Sequence, residues 1–254
     1  MRLSDALLDA IRFLTIVRVR DTESALAPDW LARAMKYFPV VGAGIGLVAA
    51  LVLLLANEFF SPAIAALLAV TAGIMITGAF HEDGLADTAD SFGGGWSVEK
   101  RLAIMKDSRI GTYGALALGL GVALRVTAIS DMPMWAGPAA LIAAHAAARA
   151  APAFVMNHLG YAGDIATMKV SYVETPVRPG ELMFALVVTG LAVVPLALVS
   201  PSAVVVGLLG GAALAFLLAR GSQKMLGGYT GDVLGAIEQV FEIGFLLGVV
   251  AAMS

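Results

Sequence analysis

The chain contains no cysteine and few charged residues. Of its 254 residues, 14% are charged and 59% are hydrophobic. The absence of thiols excludes disulfides, zinc–thiolate sites, iron–sulfur clusters and thiol nucleophiles. Soluble domains are roughly 25% charged and about half apolar, so this composition indicates a membrane protein. The formal net charge of −3 gives no basic surface that would indicate a nucleic-acid partner.

Seven apolar stretches are each long enough, or nearly so, to cross a bilayer. A hydrocarbon core of about 30 Å requires about 20 helical residues, and polar or proline-containing breaks near 57–62, 131–133 and 200–201 separate the stretches. We therefore predict an all-α fold, a polytopic transmembrane helix bundle of about seven spans that forms one integral-membrane domain over residues 1–254. The predicted spans are Val40–Ala56, Pro62–Phe80, Thr112–Ser130, Ala136–Met156, Leu182–Val199, Ser202–Ala219 and Val233–Met253.

Positive charges lie on alternate loops. The loops near 57–61, 131–135 and 200–201 contain no Lys or Arg, whereas the N-terminal segment and the other loops contain all the cationic residues outside the spans. Cytoplasmic loops are enriched in Lys and Arg. We therefore expect a cytoplasmic N-terminus and a C-terminus on the opposite side of a bacterial cytoplasmic (inner) membrane.

Residues 1–39 are expected to lie on the cytoplasmic side without crossing the membrane. Their charges are distributed throughout the first twenty residues, so no cleavable signal is expected. One helical face is apolar, which is typical of a helix at the membrane interface, although packing of that face against the bundle explains the pattern equally well. The apolar positions are Leu3, Leu7, Leu8, Ile11 and Leu14.

A cytoplasmic loop over residues 81–111 begins with an acidic segment. Asp83, Asp87 and Asp90 are spaced i, i+4 and i+7, which places them on one face of a helix. Like charges so placed destabilise a helix by roughly 0.2–0.5 kcal/mol per pair unless a cation neutralises them. Oxygen ligands without sulfur favour Mg²⁺ or Mn²⁺, and Mg²⁺ also uses substrate phosphates as ligands. We predict a Mg²⁺ site here, with an ordinary solvated acidic helix as the alternative.

Two glycine-containing segments precede predicted spans and combine hydroxyls with charges. Residues 106–114 read KDSRIGTYG and residues 227–232 read GGYTGD. A helix N-terminus offers free N–H groups and a partial positive charge, which favour phosphate binding. Carboxylates beside such a terminus suggest metal-assisted phosphoryl transfer. Asp232 is predicted to complete the metal site, and membrane anchoring is the alternative explanation of the two cations. The predicted phosphate-binding residues are Lys106, Ser108, Arg109, Thr112 and Thr230.

Five ionisable residues fall inside the predicted spans. An isolated charge at a helix centre costs about 2.5–3.5 kcal/mol on insertion scales, so these side chains should be paired. Depth along the helices predicts a pair between Arg149 and Glu238 and a looser pair between Arg125 and Glu242. A role of Glu238 or Arg149 in the functional site is the alternative, and His145 is predicted to be structural. A secondary transporter that uses these charges for coupling is the alternative function, but the sequence shows no inverted repeat.

Three motifs closely resemble cobalamin synthase, the adenosylcobinamide-GDP ribazoletransferase family. They are HxDGLADTAD over residues 81–90, KDSRIGTxG over 106–114 and GGxTGDxLGA over 227–236. Two N-terminal fragments, FLT at 13–15 and FPxVG at 38–42, agree with the family more loosely. The resemblance spans most of the chain.

The resemblance implies the last assembly step of the nucleotide loop of vitamin B12. Ribazole or its 5′-phosphate attacks the phosphate nearest cobinamide in adenosylcobinamide-GDP, GMP leaves, and adenosylcobalamin or its 5′-phosphate forms. His81 and Asp107 are the catalytic candidates that accept the attacking hydroxyl's proton, and the sequence does not rank them. A homo-oligomer or a complex with other corrinoid-pathway enzymes is a further expectation, and a non-catalytic scaffold for those enzymes is a third hypothesis.

Overall fold

The computed structural model describes residues 3–21, 29–163 and 176–254, without the side chains of residues 3 and 4. Helices dominate this part of the chain, in which the only β-type pairing is an isolated bridge between Tyr161 and Tyr229. The predicted all-α fold is confirmed. The helices are α1 (Leu3–Leu14), α2 (Trp30–Met35), α3 (Phe38–Asn57), α4 (Pro62–Thr77), α5 (Phe80–Gly94), α6 (Val98–Met105), α7 (Thr112–Asp131), α8 (Gly137–His158), α9 (Pro179–Val199), α10 (Pro201–Leu226) and α11 (Gly231–Met253).

Within the residues that the structure describes, six helices are long and apolar enough to cross a membrane, namely α3 and α7 to α11. Helices α4 and α5 meet the same criteria only as a pair, and the pair is bent by 91°. Counting that pair as one span gives seven, which agrees with the predicted number. By length and composition the protein is therefore a multi-pass membrane protein.

The second predicted span, Pro62–Phe80, ends earlier than expected. Gly78 and Ala79 both adopt left-handed backbone conformations, with φ of 63° and 59°. Their N–H groups donate to the carbonyls of Met75 and Ile74, which closes the end of α4. The chain consequently turns and restarts as α5, so the acidic segment leaves the direction of the preceding helix. Only Gly adopts this conformation without a steric cost, and therefore the turn at Ala79 could not be anticipated.

The sixth predicted span, Ser202–Ala219, is shorter than the helix that forms there. Helix α10 continues to Leu226, so Arg220 and Lys224 lie on its last turns and not in a loop. A cation in the last turn interacts favourably with the negative end of the helix dipole. The helix ends at Gly227, whose φ of 81° is left-handed.

Helices α8 and α11 form the centre of the bundle. In each of these helices 78% of an apolar 18-residue stretch is buried, whereas only 11% of the corresponding stretch is buried in α9. Small residues permit close packing between backbones: a Cβ added at Gly244 of α11 would lie 2.5 Å from the carbonyl oxygen of Gly210 in α10. The largely apolar, uncovered surface of α9 is suited to contact with lipid.

The N-terminal helix α1 packs against the bundle. Ala6, Ala10 and Leu14 are buried in a cluster that includes Phe38 and Val41 of α3. Leu7, Leu8 and Ile11 are half-buried, and the side chain of Leu3 lies outside the described residues. The helix therefore packs against the bundle, as one of the two explanations offered for its apolar face requires, and its location at the membrane interface stays a prediction.

Candidate active site

Helix α5 carries the acidic motif and packs against α7 and α11. Asp83 is exposed, Asp87 is half-buried and Asp90 is buried, with 9% of its surface accessible. His81 and Glu82 point into the bundle and are also buried. The predicted helical spacing of the aspartates is confirmed, and their environments differ from one end of the motif to the other.

Asp90 binds the first turn of α7. Its carboxylate oxygens accept hydrogen bonds from the backbone N–H groups of Gly111 and Gly114, at 2.7 and 2.8 Å. A carboxylate at this position satisfies amides that lack helical partners and interacts favourably with the helix dipole. A side chain at either glycine would collide with the carboxylate. The start of α7, predicted to receive a phosphate, thus already holds a carboxylate of this chain.

The start of α11 touches α5 next to Asp83. A Cβ added at Gly84 would lie 2.7 Å from the carbonyl oxygen of Asp232, so glycine is required for this approach. Asp232 is half-buried. Two segments that are far apart in sequence therefore meet at one end of the bundle, where the backbone of Asp232 lies beside the acidic helix.

The carboxylates suit Mg²⁺ in kind, but not as a complete ligand set. Among the residues that the structure describes, no group of three or more His, Asp or Glu side chains is arranged to hold a metal ion. Mg²⁺ prefers oxygen donors and commonly keeps several waters or substrate phosphates in its coordination sphere. Asp83, Asp87, Asp90 and Asp232 therefore stay predicted ligands, and a site built from them needs oxygens from the substrate or water.

The loop between α6 and α7 is exposed and charged. Lys106, Ser108 and Arg109 are accessible, as is Thr112 at the first position of α7. Arg109 donates to Asp107, with a distance of 2.6 Å between Nη2 and Oδ2. These hydrogen bonds lower the pKa of Asp107 to about 2. A carboxylate with so low a pKa is a weak general base near neutral pH.

Thr230 is placed as a helix cap. Its hydroxyl oxygen accepts a hydrogen bond from the N–H of Val233 at 3.3 Å, and the residue is only 5% exposed. Threonine is a common residue immediately before a helix for this reason. The preceding Tyr229 pairs with the loop after α8 through its N–H and the carbonyl of Gly160. The phosphate-binding role predicted for Thr230 stays a prediction, but its hydroxyl is engaged in holding α11.

Buried charges inside the bundle are paired across helices. Arg149 of α8 lies 3.3 Å from Glu238 and 3.0 Å from Glu242, and Arg125 of α7 lies 3.4 Å from Glu242. Both predicted pairs, Arg149 with Glu238 and Arg125 with Glu242, are confirmed. His145 contacts Glu242 at 3.1 Å, in agreement with the structural role predicted for it.

The acidic helix is part of this buried network. Glu82 lies 3.3 Å from Arg125, and His81 Nε2 lies 2.7 Å from Glu238 Oε2. Sequence reasoning assigned no role to Glu82, which precedes Asp83 and lies about 100° around the helix from it. The network attaches α5 to α7 and α11, while Asp83 and Asp87 lie on a more exposed side of α5.

The fold and this site define a multi-pass membrane protein with a polar, acidic site at one end of its helix bundle. The family model for cobalamin-5-phosphate synthase matches residues 6–250, and the chain belongs to that family. The resemblance seen in the three motifs is therefore confirmed. No solved structure matches the chain significantly.

Relatives named adenosylcobinamide-GDP ribazoletransferase are similar to almost the whole chain. The protein from Leptothrix cholodnii is 40% identical over 249 residues, covering 96% of this chain and 94% of its own length. That of Shewanella frigidimarina is 41% identical over 226 residues, covering 88% and 85%. That of Shewanella amazonensis is 39% identical over 219 residues, covering 85% and 83%.

Proposed function

We propose that this protein transfers ribazole, or its 5′-phosphate, onto adenosylcobinamide-GDP with release of GMP. The observation that carries the proposal is family membership over residues 6–250, together with relatives at about 40% identity that are named for this activity. A hydroxyl oxygen of the ribose forms a bond to the phosphorus nearest cobinamide. The pyrophosphate bond breaks, GMP takes the electron pair of that bond, and the hydroxyl proton passes to a base.

The acidic end of the bundle supplies the groups that this reaction needs. Asp83, Asp87 and Asp232 would hold Mg²⁺, which when bound neutralises charge on the pyrophosphate oxygens. Asp90, also a predicted ligand, holds the first turn of α7 beside them through two backbone amides. Residues from α5, α7 and α11 thereby surround one substrate position.

The exposed loop before α7 is suited to bind the nucleotide end of the substrate. Lys106 and Arg109 are accessible cations, and Ser108 and Thr112 are accessible hydroxyls. Charge-assisted hydrogen bonds from such groups to phosphate oxygens are stronger than neutral ones. This loop would therefore orient the diphosphate while the acidic helix faces the reacting phosphorus.

His81 is the better candidate for the general base. Asp107 has a pKa of about 2 because Arg109 donates hydrogen bonds to it, and so weak a base accepts a proton poorly at neutral pH. His81 lies on the inner face of α5, with Nε2 2.7 Å from Oε2 of Glu238, and an imidazole is the most common general base in enzymes.

The charged end of the bundle is proposed to face the cytoplasm of a bacterial cell, with the N-terminus on that side. The loops near 57–61, 131–135 and 200–201 contain no Lys or Arg, as expected for the opposite side. Both polar substrates would then reach the site from the cytoplasm, and the bilayer surrounds the apolar helices.

A direct assay tests the activity. Purified protein in lipid nanodiscs is incubated with adenosylcobinamide-GDP, ribazole and Mg²⁺, and GMP and the corrinoid product are separated by chromatography. We expect GMP and product in equal amounts, and no GMP when ribazole is omitted. Hydrolysis of adenosylcobinamide-GDP without a ribazole-containing product, or no GMP at all, would contradict the proposal.

A further inference from the structure

A cleft with aromatic walls lies beside the start of α11. It is bounded by α1, α2, α3, α5, α8 and α11, and none of the residues proposed to bind metal or phosphate lines it. The two N-terminal fragments that resemble the family, FLT and FPxVG, each contribute a phenylalanine to it. The lining residues that matter here are Phe13, Phe38, Phe80, His81, Gly231 and Glu238.

Phe13 is the central ring of the cleft. Its ring stacks on Phe38 with centroids 5.7 Å apart and meets the edge of Phe80 at 5.3 Å. Trp30 packs against the same ring from another side, at 5.7 Å. Three rings from separate segments therefore contact Phe13, and aromatic faces of this kind also bind another planar aromatic group.

Two buried polar side chains form the polar end of the cleft. His81 is 1% exposed and Glu238 is 3% exposed. Although His81 Nε2 lies 2.7 Å from Glu238 Oε2, the two atoms do not form an aligned hydrogen bond, and His81 Nδ1 also has no hydrogen-bond partner. Glu238 Oε2 also lies 3.3 Å from Nε of Arg149, so His81 Nδ1 is the one of these atoms with neither a hydrogen bond nor an ion-pair contact. Buried polar atoms in native proteins are nearly always hydrogen-bonded, and His81 Nδ1 is therefore a position at which a polar ligand can bond.

The cleft is adjacent to the acidic end of α5. Gly231 lines it, and the next residue, Asp232, contacts Gly84 beside Asp83. A ligand seated among the rings with its polar end at His81 therefore lies near the position where the reacting phosphorus is proposed to bind.

We propose that this cleft binds the ribazole substrate, with its planar aromatic base among the rings of Phe13, Phe38 and Phe80. The ribose hydroxyls pair with His81 and Glu238. Aromatic side chains stack on planar bases in many nucleic-acid-binding sites. A hydroxyl both donates and accepts a hydrogen bond, so it matches a carboxylate and either tautomer of an imidazole. This inference rests on the proposed function, because that function supplies the ligand.

The base enters by replacing contacts that the rings make with one another. The space left between the lining residues is about 20 Å³, enough for about one water molecule. Phe13 is half-buried and Phe80 is 44% exposed, so both rings can move aside towards the surface. Stacking on the base then takes the place of stacking between Phe13 and Phe38.

Kinetics of ring variants test the cleft. We expect Phe13→Leu to raise the KM for ribazole about tenfold, the size of a lost stacking contact. The KM for adenosylcobinamide-GDP should change less than about twofold, because this substrate binds elsewhere. Phe80→Leu provides the same test at a more exposed position if Phe13→Leu does not fold. The matched control is Phe59→Leu, a residue 74% exposed beyond the far end of α3, which should leave both KM values unchanged.

Binding without turnover gives a second readout. Trp30 lies against Phe13, and the other two tryptophans, Trp96 and Trp135, are 90% and 55% exposed. In a Trp96→Phe, Trp135→Phe protein, ribazole alone should change the Trp30 emission saturably, and adding Phe13→Leu should raise the apparent Kd about tenfold.

The outcomes separate this inference from the proposed function. Turnover by the wild type with an unchanged ribazole KM in Phe13→Leu and Phe80→Leu would overturn the cleft and leave the function intact. Saturable binding at Trp30 without GMP release would support the cleft and contradict the function. If the cleft holds a lipid chain or simply closes as core, ribazole would not change Trp30 emission, which also overturns the inference.

Discussion

The two faces of helix α5 place their charges in different environments. On the inner face, His81 and Glu82 are buried and lie beside Glu238 and Arg125 of neighbouring helices. On the outer face, Asp83 is exposed and Asp87 is half-buried. The inner charges stabilise one position of the helix, whereas the outer carboxylates lie where a cation and a phosphate from solution can approach.

The comparison explains why a single short motif contains so many acids. A buried carboxylate beside an arginine has its charge compensated within the protein and provides little attraction for a further cation. An exposed carboxylate can still attract a cation, although neighbouring carboxylates repel it. We therefore expect substitutions of the buried Glu82–Arg125 pair to change stability first, and substitutions on the outer face to change the metal requirement first.

The largest expected effect is on the inner face. Arg125→Met leaves Glu82 without its buried partner and should lower the free energy of unfolding by about 3–5 kcal/mol. Thermal or denaturant unfolding in micelles measures this change. Exposed Arg220→Met is the control and should shift stability by less than about 0.5 kcal/mol. A fully stable Arg125→Met protein would show that the buried pairs do not hold α5.

On the outer face, Asp83→Asn should insert normally and lose activity about 100-fold, equivalent to about 2.7 kcal/mol in the barrier. EDTA should abolish wild-type activity reversibly. Glu99→Gln, which removes an exposed carboxylate from α6, should stay active. Full turnover by Asp83→Asn, or in the presence of chelator, would contradict the metal assignment and with it the contrast between the two faces.

A smaller effect distinguishes metal from phosphate binding. Asp232→Asn should raise the Mg²⁺ concentration for half activity about tenfold, or about 1.4 kcal/mol. Lys106→Ala should instead raise the KM for adenosylcobinamide-GDP with little change in the metal titration. Activity measured as a function of the Mg²⁺ concentration and of the adenosylcobinamide-GDP concentration separates these outcomes. An unchanged metal titration in Asp232→Asn would mean that its carboxylate does not share the ion with α5.

The approach of α11 to α5 can be tested through a glycine. Gly84→Ala adds a Cβ that collides with the carbonyl oxygen of Asp232, so it should displace the start of α11 and raise the Mg²⁺ requirement several-fold, in the same direction as Asp232→Asn. Gly119→Ala is the matched control, because a Cβ there meets no neighbouring atom. Equal metal titrations of the two alanine variants would show that this contact is unimportant for the site.

The smallest effect is expected at Asp107. Its pKa is lowered to about 2 by Arg109, so it stays ionised at every pH above that value, and the pairing is lost only as the pH falls through about 2. Asp107→Asn should therefore leave the shape of the rate profile between pH 5 and 9 unchanged, while His81→Gln should lower kcat. If Asp107→Asn instead removed a fall in rate at low pH, Asp107 would be a better candidate for the general base than His81.

Much of the helix arrangement could be predicted from apolar runs alone. In lipid a spanning segment must satisfy its own backbone hydrogen bonds, so a long apolar stretch has few alternatives to a helix. Thr112 begins α7 as predicted, since glycine and a hydroxyl residue mark the boundary. The turn at Ala79 was missed because nothing in an alanine signals a left-handed conformation.

The candidate site was predictable only in part. The spacing of Asp83, Asp87 and Asp90 determined their common helical face, and the depths of Arg149 and Glu238 determined their pairing. The partners of Asp90 could not be predicted, because Gly111 and Gly114 reach it across a turn and a short helix. Whether a particular hydroxyl or carboxylate caps a helix depends on how the helices pack against one another.

The amino-acid sequence by itself determined the membrane class, the helical periodicity of the acidic motif and the family, because these properties depend on composition and on neighbours along the chain. The tertiary structure alone decided that α5 turns by 91° from α4, that Glu82 faces Arg125, and that Phe13 meets Phe38 and Phe80 in one cleft. Those contacts join residues from separate helices, and their formation depends on the packing geometry of the whole bundle, which no local pattern specifies.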